Sequence, residues 1–340
     1  MAFGWGIVGT GAIAHRFAAD LAHVPQARLA AVQSRSPQAA ADFCAKFSVG
    51  RACADLDALL ADGAVDAVYL ATPNARHAEQ ALASIAAGKP VLVEKPLALS
   101  AADAERIEAA AVAKGVFAME GLWTRFLPAV RRAKALVDAG EIGPITALHA
   151  NLAYVHEETP ESRFYDPQGG GALFDLGVYP ISLALHFLGV PDGVSGSWKA
   201  ARSGVDRSAE ITLRYRQATA HLSCGFDREG DNSLTLHGSR GSLRLAPPFL
   251  QARRLTHFKG ATPPAVRTAA RGLPGRIIDR LPLPGRVTEH HPFPGSGLQF
   301  ETAAVMEAVR QKRTHSDVMP LADSRAALAI ITKLLSLPPG

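Results

Sequence analysis

Short apolar stretches alternate with helix-forming stretches through the first 120 residues of this 340-residue chain. The apolar stretches are too short for buried helices and contain many β-branched residues, which indicates strands buried on both faces. We predict six strands, at residues 3–9, 28–33, 50–53, 66–71, 91–93 and 116–119, with a helix after each of the first five. Strands joined by helices pair in parallel, so this half of the chain is predicted to be an α/β domain.

A glycine-rich turn joins the first strand to its helix. The stretch Gly9–Ala14 has the form G-x-G-x-x-A, an accepted variant of the dinucleotide fingerprint. Gly9 allows the tight turn, Gly11 lets a pyrophosphate approach the backbone, and a small residue in the last place lets the helix pack closely. The N–H groups at the helix start, including those of Ala12 and Ile13, can hold the anion. The fingerprint in this position predicts a Rossmann domain that binds a dinucleotide.

The end of the second strand bears on which dinucleotide is bound. An NAD site usually has an acidic residue about twenty positions beyond the fingerprint, where it bonds the ribose 2′-hydroxyl. This chain has Ser34, Arg35 and Ser36 there. A guanidinium offers a planar fork of donors to phosphate oxygens, so NADP is favoured over NAD. The competing interpretation is a simple turn before a helix that begins near Pro37.

Charged residues follow the fifth strand directly, as Glu94-Lys95-Pro96. Open α/β sheets bind ligands at the carboxyl ends of their strands, so these side chains are candidates for a site. Pro96 restricts the backbone of Lys95 and can adopt a cis bond. A surface Lys-Pro at the end of a strand is the alternative.

The fourth strand is followed by Thr72-Pro73-Asn74 and, three residues later, by His77. Asn74 is the predicted N-cap of a helix over residues 75–87, with His77 in its first turn. His77 is interpreted as a capping residue or as a residue that lines the cofactor site.

The pattern changes after Gly121, and we divide the chain into residues 1–120 and 121–340. Alternating apolar and polar residues separated by hairpin-type turns predict antiparallel strands, so the second domain is expected to be α+β on a mostly antiparallel open sheet. Its predicted strands are residues 145–154, 210–215, 219–224, 233–237 and 242–245, and its predicted helices are 128–139, 176–188, 298–312 and 321–336.

Composition excludes several classes of function. The formal net charge is +5, but eight Arg and Lys residues lie between Gln251 and Arg286 against one Asp. That segment, which contains five prolines, indicates a solvated excursion rather than a nucleic-acid surface. Three cysteines without ligand spacing favour a reduced, cytoplasmic setting, and neither His290-His291 nor any other cluster suggests a metal. No 18-residue apolar run predicts a membrane span, and the N-terminus has no pattern of a signal peptide.

These motifs together resemble the Gfo/Idh/MocA oxidoreductase family over nearly the whole chain. In the first half the resemblance rests on Gly9-x-Gly11, Thr72-Pro73-Asn74-x-x-His77, Gly88-Lys89-Pro90-Val91 and Glu94-Lys95-Pro96. In the second half the stretches Trp123–Phe126, Gly169–Tyr179, Gly297–Glu301 and Val318–Ser324 are similar to the branch of dimeric dihydrodiol dehydrogenases and NADP-linked D-xylose dehydrogenases. The resemblance implies that Trp123 and Arg125 line the nicotinamide end, although an aromatic core anchor is also possible, and that Thr72, Pro73, Asn74, His77 and Glu94 belong to the cofactor site. It also implies a homodimer.

Within such an enzyme, Tyr179 is the candidate base. A phenol has a pKa of about 10, and a nearby ammonium such as Lys95 is expected to lower it. Asp175 lies one helical turn before Tyr179 and is predicted to orient the substrate or Lys95. The alternatives are a core tyrosine and, for Asp175, an N-cap. The three glycines at 169–171 are expected to let the backbone approach a ligand closely.

The sequence therefore predicts an NADP-dependent oxidoreductase that moves hydride between nicotinamide and a small polyol, aldose or trans-dihydrodiol. Members of the inositol type carry His where this chain has Tyr179, which argues against that branch. Two alternatives stay open: a redox-neutral, NAD-dependent glycoside hydrolase of the same family, and a non-catalytic NADPH-binding regulator. The absence of a leader favours a soluble dehydrogenase that exchanges its cofactor over an exported relative that retains it.

Overall fold

The computed structural model describes residues 2–159, 161–260 and 285–340. Within these ranges the first sheet has six strands: β1 (Phe3–Val8), β2 (Ala27–Gln33), β3 (Ala52–Cys53), β4 (Ala67–Leu70), β5 (Val91–Glu94) and β6 (Ala118–Gly121). All of its pairings are parallel, in the order β3-β2-β1-β4-β5-β6. The helices between them are α1 (Ala12–Asp20), α2 (Pro37–Phe47), α3 (Leu56–Leu60), α4 (His77–Ala86) and α5 (Ala101–Lys114). The predicted Rossmann arrangement is confirmed.

Local signals place most helix starts correctly, with one exception. The side chain of Asp55 caps α3 by accepting from the Ala58 amide at 2.8 Å. Asn74, the predicted N-cap of the helix after β4, does not cap it. A 3-10 turn over Asn74–Arg76 precedes α4, and the Asn74 amide donates to the carbonyl of Gly169 at 2.8 Å. That prediction was wrong because a partner 95 residues away in sequence competes for the side chain.

The second sheet has eight strands among the described residues: β7 (Ile145–Ala153), β8 (Gly193–Ala200), β9 (Asp206–Arg214), β10 (Thr219–Gly225), β11 (Leu234–Gly238), β12 (Gly241–Leu245), β13 (Arg254–Lys259) and β14 (Arg286–His290). Their order is β14-β13-β12-β11-β7-β10-β9-β8. The β7–β10 pair is parallel and the others are antiparallel, so the expected mostly antiparallel sheet is confirmed. The helices of this half are α6 (Pro128–Asp138), α7 (Val178–Leu188), α8 (Leu298–Arg310) and α9 (Leu321–Leu335).

Strands β8, β13 and β14 were not predicted. β13 lies inside the basic segment, so the interpretation of that whole segment as an irregular excursion was wrong for residues 254–259. Its two apolar residues, Leu255 and Phe258, lie on opposite faces of the strand, so no alternation of apolar and polar residues marks it in the sequence. β8 contains two glycines, which weaken strand patterns. Residues 261–284 of the basic segment lie outside the described residues.

The second sheet has one apolar and one polar face. Leu148 and Leu222 point to the apolar face, which α7 and α9 cover, whereas His149 and His221 lie on the polar face. α9 also packs against α5 of the first half, so the C-terminal helices contact both sheets. The boundary after residue 120 therefore stays a prediction. No helix in the described ranges is long and apolar enough to cross a membrane.

A buried carboxylate joins α1 to α8. Asp20, which is 2% exposed, accepts hydrogen bonds from the amides of Ser296, Gly297 and Leu298 at 2.9–3.0 Å. The first N–H groups of a helix have no partner within it, and here a side chain from the other end of the chain supplies one. Because Gly297 has φ +111° and a Cβ there would lie 3.0 Å from the Trp123 ring, glycine is required at this junction.

Candidate active site

The turn after β1 is built to receive an anion. Gly9 has φ +99°, and a Cβ there would lie 2.5 Å from the carbonyl oxygen of Ala71, so glycine is required. A Cβ on Gly11 would meet no atom within 4 Å. α1 has no capping side chain and no acidic residue in its first turn, so the amides at Ala12 and Ile13 are available to a ligand. This arrangement fits the pyrophosphate of a dinucleotide.

The residues after β2 fit a phosphate on the ribose. Ser34 Oγ lies 3.0 Å from Thr10 Oγ1, which places its hydroxyl beside the fingerprint turn. The Arg35 side chain is exposed and forms no ion pair with any residue that the structure describes. Ser36 instead caps α2 by accepting from the Ala39 amide at 3.2 Å. Ser34 and Arg35 thus remain candidates for a 2′-phosphate, and Ser36 has the structural role.

His77 connects the loops that follow β4 and β5. It is 1% exposed, and its ring nitrogens lie 2.8 Å from the carbonyl oxygen of Pro96 and 2.9 Å from that of Thr72. Burial lowers the pKa of His77, whereas the two carbonyl contacts oppose that shift. The side chain therefore positions the loop containing Thr72 and Pro73 against the backbone that carries Lys95.

Lys95 reaches across the site to the second half of the chain. Its ammonium Nζ lies 2.8 Å from Asp175 Oδ1 and 2.6 Å from the main-chain oxygen of the same residue, and the Lys95–Pro96 bond is cis. Burial alone would raise the pKa of Asp175, but the charges of Lys95 and then Arg163 hold it below its usual value. Asp175 is therefore an ionised partner of Lys95, and its predicted alternative role as an N-cap is not observed.

Tyr179 lies beside this pair, in a state that differs from the expected one. Lys95 Nζ is 5.1 Å from the centroid of the Tyr179 ring, and the Trp123 indole donates to the Tyr179 hydroxyl at 3.1 Å. Burial, with Glu94 next, raises the pKa of Tyr179 well above its usual value. The expectation of a lowered pKa was wrong, because burial of the hydroxyl and the neighbouring carboxyl groups outweighs the charge of Lys95. The ammonium contacts the face of the ring and bonds Asp175, while the hydroxyl is desolvated.

The glycines before Asp175 allow close approach by the protein itself. A Cβ on Gly170 would lie 2.6 Å from the carbonyl oxygen of Phe164, and one on Gly171, whose φ is +104°, would overlap Oδ1 of Asp206. These glycines were expected to let the backbone approach a ligand. In the structure they let it approach the Phe164 carbonyl oxygen and the Asp206 carboxylate instead.

Arg125, which was expected to line the nicotinamide end, is bonded to other protein groups instead. Its side chain is buried, and it donates to Ser182 Oγ at 2.7 Å, to the carbonyl oxygen of Val318 at 3.0 Å and to Asp323 Oδ2 at 2.6 Å. These bonds tie the turn after β6 to α7 and α9. Trp123, by contrast, contacts the candidate base directly.

Three residues of the site were missed in the sequence. The rings of His156 and Phe164 stack at 3.9 Å, the Arg163 guanidinium lies 4.3 Å from the Phe164 centroid, and Arg163 Nη1 is 3.8 Å from Asp175 Oδ1. They form a wall beside Asp175. The available signal was a group of aromatic and basic residues after the carboxyl end of β7.

Buried carboxyl groups lie behind the pair. Glu94 accepts from the Tyr69 hydroxyl and, at 3.2 Å, from the Lys95 amide. Glu301 is fully buried and neither of its oxygens has a hydrogen-bond partner among the described residues. Burial, with Glu94 and Glu120 next, raises the pKa of Glu301 well above its usual value, which keeps it uncharged. The described ranges contain no group of three or more His, Cys, Asp or Glu side chains that could hold a metal ion.

Known proteins share this architecture and are similar in sequence. Residues 3–122 match the model of the GFO_IDH_MocA oxidoreductase family with its NAD-binding Rossmann fold, and residues 130–244 match the GFO/IDH/MocA C-terminal domain. The trans-1,2-dihydrobenzene-1,2-diol dehydrogenase of Bos taurus is 28% identical over 98% of this chain and 96% of its own length. The scyllo-inositol 2-dehydrogenase (NADP(+)) IolU of Bacillus subtilis is 36% identical over 62% of this chain and 65% of its own.

A solved structure gives the same picture. KijD10, a 3-ketoreductase from Actinomadura kijaniata in complex with NADP and TDP-benzene, superposes with a TM-score of 0.81 at 26% identity, over 98% of this chain and 97% of that one. The two family models together cover most of the chain, in the order in which its two sheets occur. This protein belongs to the Gfo/Idh/MocA oxidoreductase family.

Proposed function

We propose that the protein is an NADP-dependent oxidoreductase that transfers hydride between nicotinamide and a CH–OH group of a small polyol, aldose or trans-dihydrodiol. The observation that carries this proposal is the meeting of Lys95, Asp175 and Tyr179 at the carboxyl ends of the parallel strands. The anion-binding turn at Gly9 and Gly11 lies at the same edge of the sheet. A site for a dinucleotide and a site for proton transfer are thus adjacent.

The chain's own residues hold the cofactor and the proton. NADP supplies the hydride acceptor or donor at C4 of its nicotinamide. The amides at the start of α1 hold the pyrophosphate, and Ser34 and Arg35 bind the 2′-phosphate. Tyr179 is protonated at neutral pH, because burial raises its pKa, so it is ready to donate a proton when a carbonyl is reduced. In the oxidative direction the same oxygen receives the proton of the substrate hydroxyl.

Lys95 and Asp175 keep that oxygen usable as a base. The Lys95 ammonium lies against the face of the Tyr179 ring, where its positive charge lowers the cost of the phenolate as the substrate proton arrives. Asp175 holds Lys95 in place through two hydrogen bonds. The site is largely shielded from water, with Tyr179 6% exposed, so these charges act in a medium of low dielectric.

The wall beside Asp175 combines aromatic and basic groups. His156 stacks on Phe164, and the Arg163 guanidinium also lies over the Phe164 ring, a combination that can contact both the CH groups and the hydroxyls of a sugar or diol. Similar proteins are named for a dihydrodiol and for an inositol. Inositols therefore join the candidates, although Tyr179 had argued against them.

We further propose a cytoplasmic homodimer that pairs through the polar face of the second sheet. On that face His149 of β7 and His221 of β10 lie opposite each other, and both side chains are exposed. Sedimentation velocity across a range of concentrations tests the oligomeric state.

The test of the activity is a screen of cofactor reduction with NADP and NAD against aldoses, polyols, inositols and aromatic dihydrodiols. We expect turnover with NADP and at least one of these classes. A protein that binds NADPH but converts none of them contradicts the proposal and favours a regulator. Release of sugar from a nitrophenyl glycoside without net change in the cofactor would instead indicate the redox-neutral hydrolase.

A further inference from the structure

Asp206 is a buried carboxylate that touches neither Lys95 nor Tyr179. It lies at the start of β9, is 1% exposed and forms no ion pair with any described residue. Its Oδ2 accepts a hydrogen bond from the amide of Leu173 at 2.6 Å. Burying a carboxylate without a cation is costly, so its presence calls for an explanation other than stability.

The amide that Asp206 accepts from belongs to Leu173, the first residue of the helical segment that carries Asp175 and Tyr179. A π-helical turn over Leu173–Gly177 contains Asp175, and it continues directly into α7, whose second residue is Tyr179. The residue at the N-cap position of this turn is Ala172, whose side chain cannot cap it. Asp206, from β9, supplies the acceptor that the N-cap residue lacks, at the positive end of a continuous helical segment.

The sequence makes room for this contact. Gly171 adopts φ +104°, and any Cβ there would overlap Oδ1 of Asp206. Gly177 lies so close to β10 that a Cβ would be 3.0 Å from the Cys224 sulfur. The glycines thus bring the turn against the sheet on the side where the carboxylate lies. This accounts for part of the Gly169–Tyr179 motif that ligand binding does not.

We propose that Asp206 is a positioning residue, whose carboxylate fixes the turn from which Asp175 and Tyr179 reach Lys95. The role presumes the proposed reaction, but the geometry does not depend on which substrate is used. When ionised, Asp206 holds the Leu173 amide by a charge-assisted bond. When protonated, it is a weaker acceptor, and the turn is free to relax away from Lys95.

Burial raises the pKa of Asp206 to about 7, so this change falls in the working range of pH. The titratable group that interacts with it is the Cys224 thiol on β10, whose pKa burial raises. Asp175, two residues after Leu173 on the bonded turn, is paired with Lys95. Arg207, the next residue on β9, pairs with Asp227, and Lys199 on β8 is exposed. Asp175 and Tyr179 have pKa values shifted away from neutrality, downward and upward respectively.

Two variants and one matched control test the role. Asp206→Asn and Asp206→Ser keep an acceptor and remove the titration. Asp20→Asn is the control, because it also changes a buried carboxylate that caps a helix start, on a helix without a proposed reacting residue. We expect wild-type kcat to fall about tenfold from pH 8 to pH 6, since small misplacements of a reacting group are costly. Asp206→Asn should show a flat profile, with KM for NADP unchanged, and Asp20→Asn should keep the wild-type profile.

Amide hydrogen exchange supplies a readout that needs no substrate and no variant. After correction for intrinsic rates, wild-type amides at 173–177 should be about threefold less protected at pH 6 than at pH 8, because a local contact is weakened. Equal protection at the two pH values overturns the proposal, as does a pH profile unaltered in Asp206→Asn. A lower Tm with an unaltered profile means a purely structural residue. If the screen finds no activity, the exchange result still decides the role of Asp206.

Discussion

The ammonium of Lys95 and the carboxylate of Asp175 lie 2.8 Å apart, although they are 80 positions apart in the sequence. Lys95 follows β5 of the first sheet, whereas Asp175 lies on the π-helical turn before α7. The strand end and the π-helical turn each supply one charge, and both side chains are only partly exposed, at 13% and 15%. The integrity of the site therefore depends on a contact between the two halves of the chain.

Removing the charge of Lys95 should abolish most of the activity. Lys95→Met leaves Asp175 with only the more distant Arg163 as a cation and removes the positive charge beside the Tyr179 phenolate, so kcat should fall about 10³-fold. The pKa of Asp175 should rise, since the largest opposing charge is lost. Steady-state kinetics measure the first effect. Lys114→Met, at the exposed end of α5, is the matched control and should behave as wild type.

Tyr179→Phe removes the proposed proton carrier and keeps the ring that Lys95 contacts. We expect kcat to fall by about 10²–10⁴-fold while NADP still binds, because only the proton transfer is lost. Tyr215→Phe is the control, since the Tyr215 hydroxyl is buried without a hydrogen-bond partner among the described residues. Near-normal turnover in Tyr179→Phe would remove this residue from the mechanism.

Arg35→Ala should weaken the preference for NADP. Loss of a guanidinium that binds a phosphate costs about 1.5–3 kcal/mol, so KM for NADP should rise roughly tenfold to a hundredfold. KM for NAD should change little, because NAD has no 2′-phosphate. Arg106→Ala, which removes an exposed guanidinium on α5, provides the comparison. Equal effects of Arg35→Ala on both cofactors would show that Arg35 does not read the 2′-phosphate.

Glu301→Gln should become more stable relative to wild type as the pH rises. Glu301 has a folded pKa raised above its unfolded value, so its contribution is fully present at low pH and is lost as the pH rises toward the folded pKa. Glutamine has no such loss. Urea unfolding at pH 5 and pH 8 should show the difference between the two proteins growing by at least about 1 kcal/mol. Glu307→Gln, at an exposed position of α8, should show no such trend.

The sequence predicted features that depend on neighbouring residues. The fingerprint turn at Gly9 and the strand before Lys95 both follow from local pattern, and both are observed. Asn74 went wrong because its partner is distant in sequence. The position of Asp206 could not be foreseen, since its bond to Leu173 exists only after β9 packs against the π-helical turn.

The pKa of Tyr179 shows the same limit in energetic terms. The expected ammonium of Lys95 suggested a lower pKa for Tyr179. The direction of the shift is decided by burial, however, and burial is a property of the assembled fold. Arg125 is similar. Its position in the motif indicated a ligand contact, whereas the fold surrounds it with Ser182 and Asp323.

Asp20 has a consequence for how the chain can be divided. A fragment that ended near residue 120 would keep this carboxylate but lose the three amides that satisfy it, and the remaining fragment would begin α8 with those amides bare. The first and last parts of the polypeptide are thus joined by these hydrogen bonds. We expect the nucleotide-binding half to melt together with the C-terminal helices, as one cooperative unit in calorimetry.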